Sequence, residues 1–308
     1  SKNADNRNVR FRDWDNMQYW FRAVEKFAPW VNKIHFVTYG HLPKWLNINN
    51  PKLNIVKHSD FIPKEYLPTF SSHSIELNLH RIESLAERFV YFNDDMFLLR
   101  PVKRELFFAG KDCLPTDFAI TSTISTTTKE DMMPFIKLNC VTILNGHFDK
   151  KEQMKKHFSK WVNLAYGWNA LRNLIFYGQH RFKGFANNHL AFSFLKSEYE
   201  DIWEKEYEAL ADTSSHKFRS KLDLDNWLIR YWQLTRGNFY PIGRHVKGKV
   251  YEIYNGVEQN QELFKVIENQ TMPMICINDN DNVDFEPMKE RIKQAFDKIL
   301  PEKSSFEK

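Results

Sequence analysis

Apolar stretches of helical and of strand character alternate along the first hundred residues of the chain. Residues 15–27 carry apolar side chains at helical spacing, and Pro29 ends the pattern because proline does not continue a helix. Three apolar runs typical of buried strands follow at residues 34–38, 53–58 and 89–92, with a helix predicted over residues 74–87. Such alternation is typical of a parallel or mixed sheet covered by helices. The sequence therefore predicts an α/β fold.

The pattern becomes mainly helical between about Lys150 and Thr235. The helices predicted there span residues 151–162, 168–177, 189–196, 198–210 and 223–235. The Lys-rich first of them is interpreted as a solvated helix face, and contact with an anionic surface is the alternative.

A strand at residues 274–277 and an amphipathic helix over residues 288–299 close the chain. We expect this strand to rejoin the first sheet. The expected organisation is one domain over residues 1–308, with an α/β core formed by residues 1–149 and 270–308 and a mainly helical insertion at residues 150–269.

Composition excludes several classes of protein. Hydrophobic residues make up 42% of the chain and charged residues 27%, which fits neither a disordered nor a fibrous protein. The three cysteines, Cys113, Cys140 and Cys276, are too widely separated to suggest a disulfide framework or a zinc site, so we expect a reducing compartment. No apolar run is long enough for a transmembrane segment. The net charge of +5 is mild and interleaved, and no nucleic-acid-binding signature is present.

The sharpest local feature is the buried strand that ends in Asn93, Asp94 and Asp95. Ligands bind beyond the carboxyl ends of strands in α/β sheets, and adjacent carboxylates suit Mg²⁺ or Mn²⁺. A turn-forming Asn-Asp-Asp sequence without a ligand is the alternative. The strand at 274–277 ends similarly in Asn278 and Asp279. If the two strands are neighbours, Asp95 and Asp279 lie at one edge of the sheet, which favours the metal.

His189 and Arg219 are candidate groups for proton transfer and for phosphate binding. His189 stands at a predicted helix start, where it would act as a general base or hold a phosphate, and a capping or core histidine is the alternative. Arg219 would bind phosphate with two N–H groups, and a surface arginine paired with Asp223 is the alternative.

Two further segments complete the candidates. The sequence Leu67 to Ser72 is interpreted as a loop that feeds a helix, with Ser71 or Ser72 as the cap and exposed N–H groups for an anion or sugar hydroxyls. An ordinary helix cap is the alternative. The second segment lies near the amino terminus and contains Arg10, Arg12 and Asp13.

Several motifs occur in an order and spacing that resemble the Stealth family. These segments are Arg10-Phe11-Arg12-Asp13, Ala28-Pro29-Trp30, Phe36-Val37-Thr38-Tyr39-Gly40, Pro43-Lys44-Trp45-Leu46, Leu67-Pro68-Thr69-Phe70-Ser71-Ser72, Ile75-Glu76, His80-Arg81-Ile82 and Tyr91-Phe92-Asn93-Asp94-Asp95. Later segments resemble the family's third and fourth blocks: Asn188-His189 through His216-Lys217-Phe218-Arg219 and Asp223, then Ile275-Cys276-Ile277-Asn278-Asp279 through Leu300-Pro301 to Lys303-Ser304-Ser305-Phe306-Glu307. The resemblance covers most of residues 10–308.

The family comprises hexose-1-phosphate phosphotransferases of bacterial polysaccharide synthesis, with an animal relative that transfers N-acetylglucosamine 1-phosphate. The resemblance implies that Asp95 and Asp279 bind Mg²⁺ or Mn²⁺ with help from Asp94, and that His189 and Arg219 are catalytic and phosphate-binding. The residues expected to bind the donor are Arg10, Arg12, Asp13, Ser71, Ser72 and Asn93. The expected fold is a Rossmann-like or GT-A-like sheet, mixed or parallel, flanked by helices.

By this resemblance, the chain would transfer a sugar 1-phosphate from a UDP-sugar, such as UDP-N-acetylglucosamine, to a hydroxyl of a polysaccharide acceptor and release UMP. A UDP-releasing glycosyltransferase and a non-catalytic glycan-binding module are the alternatives. We expect a bacterial cytoplasmic protein, compatible with peripheral association at the inner face of the membrane and with a homodimer.

Family members normally carry an earlier block, a strand of Trp-Val-Asp/Asn-Gly type that contributes to the donor site. Nothing in this sequence matches that block. We expect it to be omitted from the sequence rather than lost from the protein.

Overall fold

The computed structural model describes residues 13–126, 128, 130–280 and 283–308. The strands are β1 (Ile34–Thr38), β2 (Leu53–Lys57), β3 (Arg88–Tyr91), β4 (Met96–Leu98), β5 (Phe108–Ala109), β6 (Leu114–Asp117), β7 (Phe192–Leu195), β8 (Tyr240–Pro241), β9 (Gly248–Glu252) and β10 (Met274–Asn278). The α-helices are α1 (Met17–Phe27), α2 (His58–Phe61), α3 (Ser72–Leu77), α4 (Met133–His147), α5 (Lys150–Lys156), α6 (Phe158–Trp161), α7 (Asn169–Ile175), α8 (Lys196–Lys205), α9 (Tyr207–Ser215), α10 (Asn226–Thr235), α11 (Gln261–Glu268) and α12 (Phe285–Ile299).

The strands form small sheets of mixed direction, which confirms the α/β class. β1 pairs in parallel with β2, and β3 pairs antiparallel with β7. β10 lies between β4, to which it is antiparallel, and β9, to which it is parallel. The fourth small sheet has the order β5, β6, β8. The carboxyl-terminal strand β10 therefore pairs with β4, the strand that follows β3 along the chain.

Two large hydrophobic clusters pack against these sheets, and a small third one contains Phe118, Ile120, Tyr166 and Ala186. One large cluster surrounds β4 and β10 and is covered by the apolar faces of α1, α11 and α12. In that cluster the ring of Phe21 contacts the rings of Phe36, Trp45 and Phe306, so α1 ties β1 to the carboxyl terminus. The other large cluster lies among α3, α4, α8, α10 and β7. The sequence between residues 150 and 269 contributes to both sheets and helices, because β7 pairs with β3 and β9 with β10.

Two predicted helices are wrong. The helix expected over residues 74–87 ends at Leu77, since Asn78 donates its side-chain N–H groups to the Ser74 carbonyl at 2.8 Å and to Ser214 Oγ at 3.0 Å. The helix expected over residues 189–196 is the strand β7 instead, whose Phe194 pairs with Phe89 of β3. Pairing with a distant strand, which local periodicity does not reveal, decides that conformation.

Candidate active site

The turn that carries Asp95 lies where β10 ends. The β4–β10 register aligns Met96 with Cys276, and the Ile277 amide donates to the Asp95 carbonyl at 2.8 Å. Because these strands are antiparallel, the amino end of β4 and the carboxyl end of β10 meet at one edge. This pairing brings the backbone segment containing Asp94 and Asp95 beside the segment that leads to Asp279.

Asp95, His189 and Cys276 form the centre of this arrangement. The Nε2 atom of His189 lies 3.1 Å from Asp95 Oδ2, and one donor atom from each of the three residues falls within 4.8 Å of the others. This hydrogen bond raises the pKa of the His189 imidazole. The other carboxylate oxygen, Asp95 Oδ1, is buried and has no hydrogen-bond partner among the described residues.

The chemistry of these atoms favours oxygen over sulfur as a metal donor. Burial, assisted by the Asp95 charge, raises the pKa of the Cys276 thiol far above its ordinary range, which keeps the sulfur protonated. Hard cations such as Mg²⁺ and Mn²⁺ prefer carboxylate oxygens to sulfur as donors. Asp95 Oδ1, which is buried and has no hydrogen-bond partner in the described part of the chain, fits such a cation.

Further carboxylates lie around Asp95. Desolvation and the neighbouring Asp95 charge raise the pKa of Asp94, with a smaller contribution from the charge of Asp13. Asp279 accepts a hydrogen bond from the Trp14 indole N–H at 3.1 Å. Asp13 and Trp14 thus bring the start of the described chain to the same edge as β10. Arg10 and Arg12, which we predicted from sequence to bind the donor, lie outside the described residues.

Arg219 reaches this region from the loop between α9 and α10. Its Nη2 atom donates to Ser72 Oγ at 2.6 Å, so the predicted phosphate ligand contacts the start of α3. Glu76, on the same helix, accepts a hydrogen bond from the Tyr91 hydroxyl at 3.0 Å. The negative charge of Glu76 raises the pKa of His189, and the positive charge of Arg219 lowers it. A carboxylate and a guanidinium group therefore act on this imidazole from the side of α3.

The loop that presents Arg219 is fixed by a buried carboxylate. Asp223 is fully buried and accepts hydrogen bonds from His73 Nδ1 at 2.8 Å, from His216 Nδ1 at 2.7 Å and from the Ser220 amide at 2.9 Å. Asp223 therefore joins both ends of the loop 216–223 to α3, and it holds Arg219 beside Ser72.

Two arginines, Arg230 and Arg244, fix the loop that presents His189. Arg230 is buried in a two-bond pair with Asp117, at 2.8 Å each, and donates to Asn187 Oδ1 at 2.6 Å. Arg244 donates to Asn188 Oδ1 at 3.1 Å. His189 therefore precedes β7 on a loop that buried charges hold in place, rather than at the helix start that the sequence predicted.

Ser71 and Ser72 play different parts from those expected. Ser71 occupies the N-cap of α3 but makes no capping hydrogen bond with its side chain, and its Oγ is buried without a partner among the described residues. Ser72 binds Arg219 instead. Ser71 thus occupies the predicted cap position, but neither hydroxyl makes a capping hydrogen bond among the described residues.

A cavity of about 1450 Å³ opens beside these residues. Its walls include β1 and β3, which face each other without being paired, and its lining contains Asn93 and Asp94. Ser72, Glu76 and Arg219 also line it. The cavity is therefore mainly apolar along the strands, apart from His35 of β1 and Arg88 of β3, and charged where it meets Asp94 and Arg219.

Known proteins resemble this chain over nearly its full length. Residues 10–114 match the model of Stealth protein CR2, conserved region 2. The capsular polysaccharide phosphotransferase WcwK of Streptococcus pneumoniae is 44% identical over 98% of this chain and 88% of its own length. The receptor polysaccharide phosphotransferase WefC of Streptococcus gordonii is 40% identical over 99% of this chain and 90% of its own. The chain belongs to the Stealth family.

A third relative agrees with the Stealth assignment. The exopolysaccharide phosphotransferase cps2G of Lactiplantibacillus plantarum is 37% identical over all of this chain and 89% of its own length. This Stealth protein is accordingly an enzyme, a phosphotransferase, as the sequence motifs predicted. Among the described residues, none of its helices is both long and apolar enough to cross a membrane.

Sequence reasoning missed three residues of the site. The sequence predicts Cys276 to be an ordinary strand residue and Tyr91 to be part of a buried strand. It places Glu76 in a family motif without giving that residue a role. No local signal marks Glu76, because it follows Ile75 directly and lies off the apolar stripe of Ile75 and Leu79, where an acid is ordinary.

Proposed function

We propose that this enzyme transfers a sugar 1-phosphate from a UDP-sugar to a hydroxyl of an acceptor glycan and releases UMP. Its relatives are phosphotransferases of capsular, receptor and exopolysaccharides. The observation that carries the proposal is the contact of His189 with Asp95 in a family of phosphotransferases. The second oxygen of Asp95 is buried and has no partner among the residues that the structure describes. A base, a metal-binding carboxylate and a phosphate-binding arginine are the groups that phosphoryl transfer needs.

In the proposed reaction the acceptor oxygen forms a bond with the phosphorus attached to the sugar. The bond between that phosphorus and the bridging oxygen breaks, and the bridging oxygen leaves with UMP. His189 takes the proton of the acceptor hydroxyl, which Asp95 assists by stabilising the imidazolium. Arg219, oriented by Ser72, binds the transferred phosphoryl group. The bond between the sugar carbon and its oxygen stays intact, so the anomeric configuration is retained.

The residues that would hold Mg²⁺ or Mn²⁺ are Asp95 and Asp279, with Asp94 assisting. When bound, the cation would neutralise the diphosphate and the charge on the leaving UMP. Asn93 and Asp13 lie next to these carboxylates in sequence or in space, and with Arg10, Arg12, Ser71 and Ser72 they complete the proposed donor site.

Product identity tests the proposal. The purified protein is incubated with UDP-N-acetylglucosamine, other UDP-sugars, Mg²⁺ or Mn²⁺, and an acceptor glycan. We expect UMP as the nucleotide product and a phosphodiester signal by ³¹P NMR. Asp95→Asn should lower the rate about 1000-fold or more, whereas Asp112→Asn, a change to an exposed acid elsewhere, should leave it unchanged.

Two results would replace the proposal. UDP as the sole nucleotide product would identify a glycosyltransferase, in which the bond to the sugar carbon breaks. Glycan binding without turnover of any UDP-sugar, in a protein with the full family sequence, would identify a binding module.

We further propose that the enzyme works in the cytoplasm and that its small sheets belong to a Rossmann-like or GT-A-like arrangement. All three cysteines are free, which suits a reducing compartment. A crystal structure with bound UDP-sugar tests the arrangement, since the donor should lie across the carboxyl ends of the strands.

A further inference from the structure

Helix α7 buries a polar side chain and exposes large apolar ones. Its polar residue Asn173 is fully buried, where its Nδ2 donates to the carbonyls of Ala119 and Trp161 at 2.5 Å each and its Oδ1 accepts from the Thr121 amide at 2.8 Å. The large apolar residues of the helix, Leu171, Leu174 and Ile175, face outward instead, together with Arg172. A helix on the surface of a water-soluble domain normally has the opposite arrangement.

The outward side chains form an exposed apolar patch. Leu164 is 97% exposed, Trp168 87% and Ile175 76%. The patch comprises Phe158, Leu164, Trp168, Leu171, Leu174 and Ile175. Six large apolar side chains exposed within eighteen residues are far more than scattered surface hydrophobics, and such patches mark interaction sites.

The same segment carries a strong excess of positive over negative side chains. Residues 150–183 contain eight Lys and Arg and one Glu, a net charge of +7, whereas the whole chain carries +5. Lys150 does not belong to the exposed set, because it is buried and donates to the Phe176 carbonyl. This corrects the solvated face predicted for it. Lys151, Lys155, Lys156 and Arg172 are exposed.

The basic and apolar parts lie next to each other. The ring centroids of Phe158 in α6 and of Tyr177 are 6.0 Å apart, and the Lys150 amide donates to the His180 carbonyl at 3.0 Å. The amino end of α5 and the segment after α7 are therefore side by side. Exposed lysines accordingly border the apolar patch.

We propose that this patch docks on the surface of an anionic lipid bilayer. Apolar and Trp side chains enter the interface between headgroups and acyl chains, while Lys and Arg bind anionic headgroups. The charge argues for a lipid surface over a second copy of the chain, because two patches of this charge would repel each other. Docking is peripheral, in keeping with the absence of a membrane-spanning helix among the described residues.

The patch adjoins the loop that presents His189. A Cβ on Gly243 would lie 3.0 Å from the Ala165 carbonyl oxygen, so the chain beside Leu164 touches the residue before Arg244. Arg244 in turn binds Asn188, the neighbour of His189. A docked enzyme therefore has its active site close to the lipid surface.

Vesicle flotation tests the docking. The protein is mixed with vesicles of phosphatidylglycerol and phosphatidylcholine, or of phosphatidylcholine alone, at 0.1 M salt. We expect flotation with the anionic vesicles only, and its loss at 0.5 M salt because electrostatic attraction is screened. The triple variant Leu164→Ser, Trp168→Ser, Ile175→Ser should weaken binding at least about 10-fold. Ile48→Ser with Tyr254→Ser, at exposed apolar positions elsewhere, should not.

The charged part is tested separately. Lys151→Gln, Lys155→Gln and Lys156→Gln together should weaken binding to the anionic vesicles by about 10-fold or more. The matched control changes three exposed lysines outside the segment: Lys44, Lys64 and Lys103. Brominated lipid should quench the tryptophan fluorescence that Trp168 contributes, a component that wild type has and the Trp168→Phe variant lacks.

Three outcomes would overturn the docking. These are no flotation of wild type with anionic vesicles, equal flotation of the triple serine variant, and a patch-dependent dimer by analytical ultracentrifugation in the absence of lipid. Turnover with a water-soluble acceptor should be the same in wild type and the triple variant, so failure of the docking and failure of the proposed reaction are distinguishable.

Discussion

The two carboxylate oxygens of Asp95 have different environments. Oδ2 bonds to His189, whereas Oδ1 is buried without a partner among the described residues. A buried carboxylate oxygen without a partner is costly, since its desolvation is not offset. Asp95 can therefore orient the base His189 with one oxygen and bind a ligand with the other.

Arg219→Lys tests the phosphate-binding role. Lysine carries the charge but lacks the planar fork that lets arginine bind Ser72 and a phosphate together. We expect the turnover number for UMP release to fall about 100-fold, with little change in thermal stability. The control is Arg236→Lys, a surface arginine paired with Glu198 and Asp201. A loss below threefold for Arg219→Lys would contradict the role.

Asp225 offers a pH-dependent test of stability. Burial raises the pKa of Asp225 to about 6, while its pKa in the unfolded chain is about 3.9. The folded state therefore binds the extra proton between these values, and the free energy of unfolding decreases as pH rises from about 4 to about 6, then stays low. Asp225→Asn keeps an acceptor for the Trp227 amide, which Asp225 binds at 3.0 Å as the N-cap of α10.

We therefore expect Asp225→Asn to raise the free energy of unfolding at pH 7.5 by about 2 to 3 kcal/mol, and by much less at pH 4.5. Urea denaturation at both pH values measures the difference. Asp149→Asn is the matched control, since Asp149 caps α5 but its hydrogen bond from the Glu152 amide lowers the pKa of Asp149. That variant should be slightly less stable than wild type at pH 7.5. Equal effects of the Asp225 change at the two pH values would contradict the argument.

Sequence reasoning at the residue scale found Asp95 and His189, which the structure brings into contact. It found them because an acid after an apolar strand is conspicuous and because both stand in motifs that resemble a family. It missed Cys276 for a physical reason: a thiol in an apolar run looks like core, and only the pairing of β4 with β10 brings it near Asp95.

At the scale of elements, the loop 216–223 shows how one carboxylate positions a distant arginine. Asp223→Asn removes the charge that satisfies His73 and His216 together. Removing one partner from such a buried group of charged and hydrogen-bonded side chains lowers the free energy of unfolding by about 3 kcal/mol. We expect urea denaturation to show a decrease of this size in the free energy of unfolding. Under conditions where the variant stays folded, we expect turnover to decrease at least about 10-fold, because Arg219 leaves Ser72.

Asp212→Asn is the control for this prediction. Asp212 is largely exposed and lies 3.9 Å from the other side of His216, so both stability and turnover should stay near wild type. Normal turnover in folded Asp223→Asn would show that the loop holds Arg219 without this carboxylate.

The elements predicted well are those whose pattern is local. β1 occupies residues 34–38 as predicted, and α1 and α12 follow their apolar stripes. β7 was predicted as a helix because Phe192 and Phe194 lie within an apolar stretch whose period is ambiguous over a few residues. Its partner β3 lies about a hundred residues earlier, so only the three-dimensional pairing identifies it as a strand.

At the scale of the molecule, a bound cation should stabilise the fold. Ligands that bind the folded state alone raise its stability by about 2.7 kcal/mol at a hundred times their dissociation constant. We expect Mn²⁺ or Mg²⁺ to raise the melting temperature above that in EDTA, measured by scanning calorimetry. Asp95→Asn should abolish the increase and Asp112→Asn should keep it. The same melting temperature of wild type in EDTA and in metal would contradict a metal at Asp95.

The cavity between β1 and β3 divides the backbone amides of β1 into two classes. The Ile34 amide donates to the Lys52 carbonyl at 2.7 Å, so the alternation of a strand points the amides of Ile34 and Phe36 to the β2 side and those of His35 and Val37 into the cavity. Deuterium should therefore replace the amide protons of His35 and Val37 much faster than those of their neighbours. Protection that appears at these two positions on adding a UDP-sugar or another molecule would report, amide by amide, that the cavity has been filled.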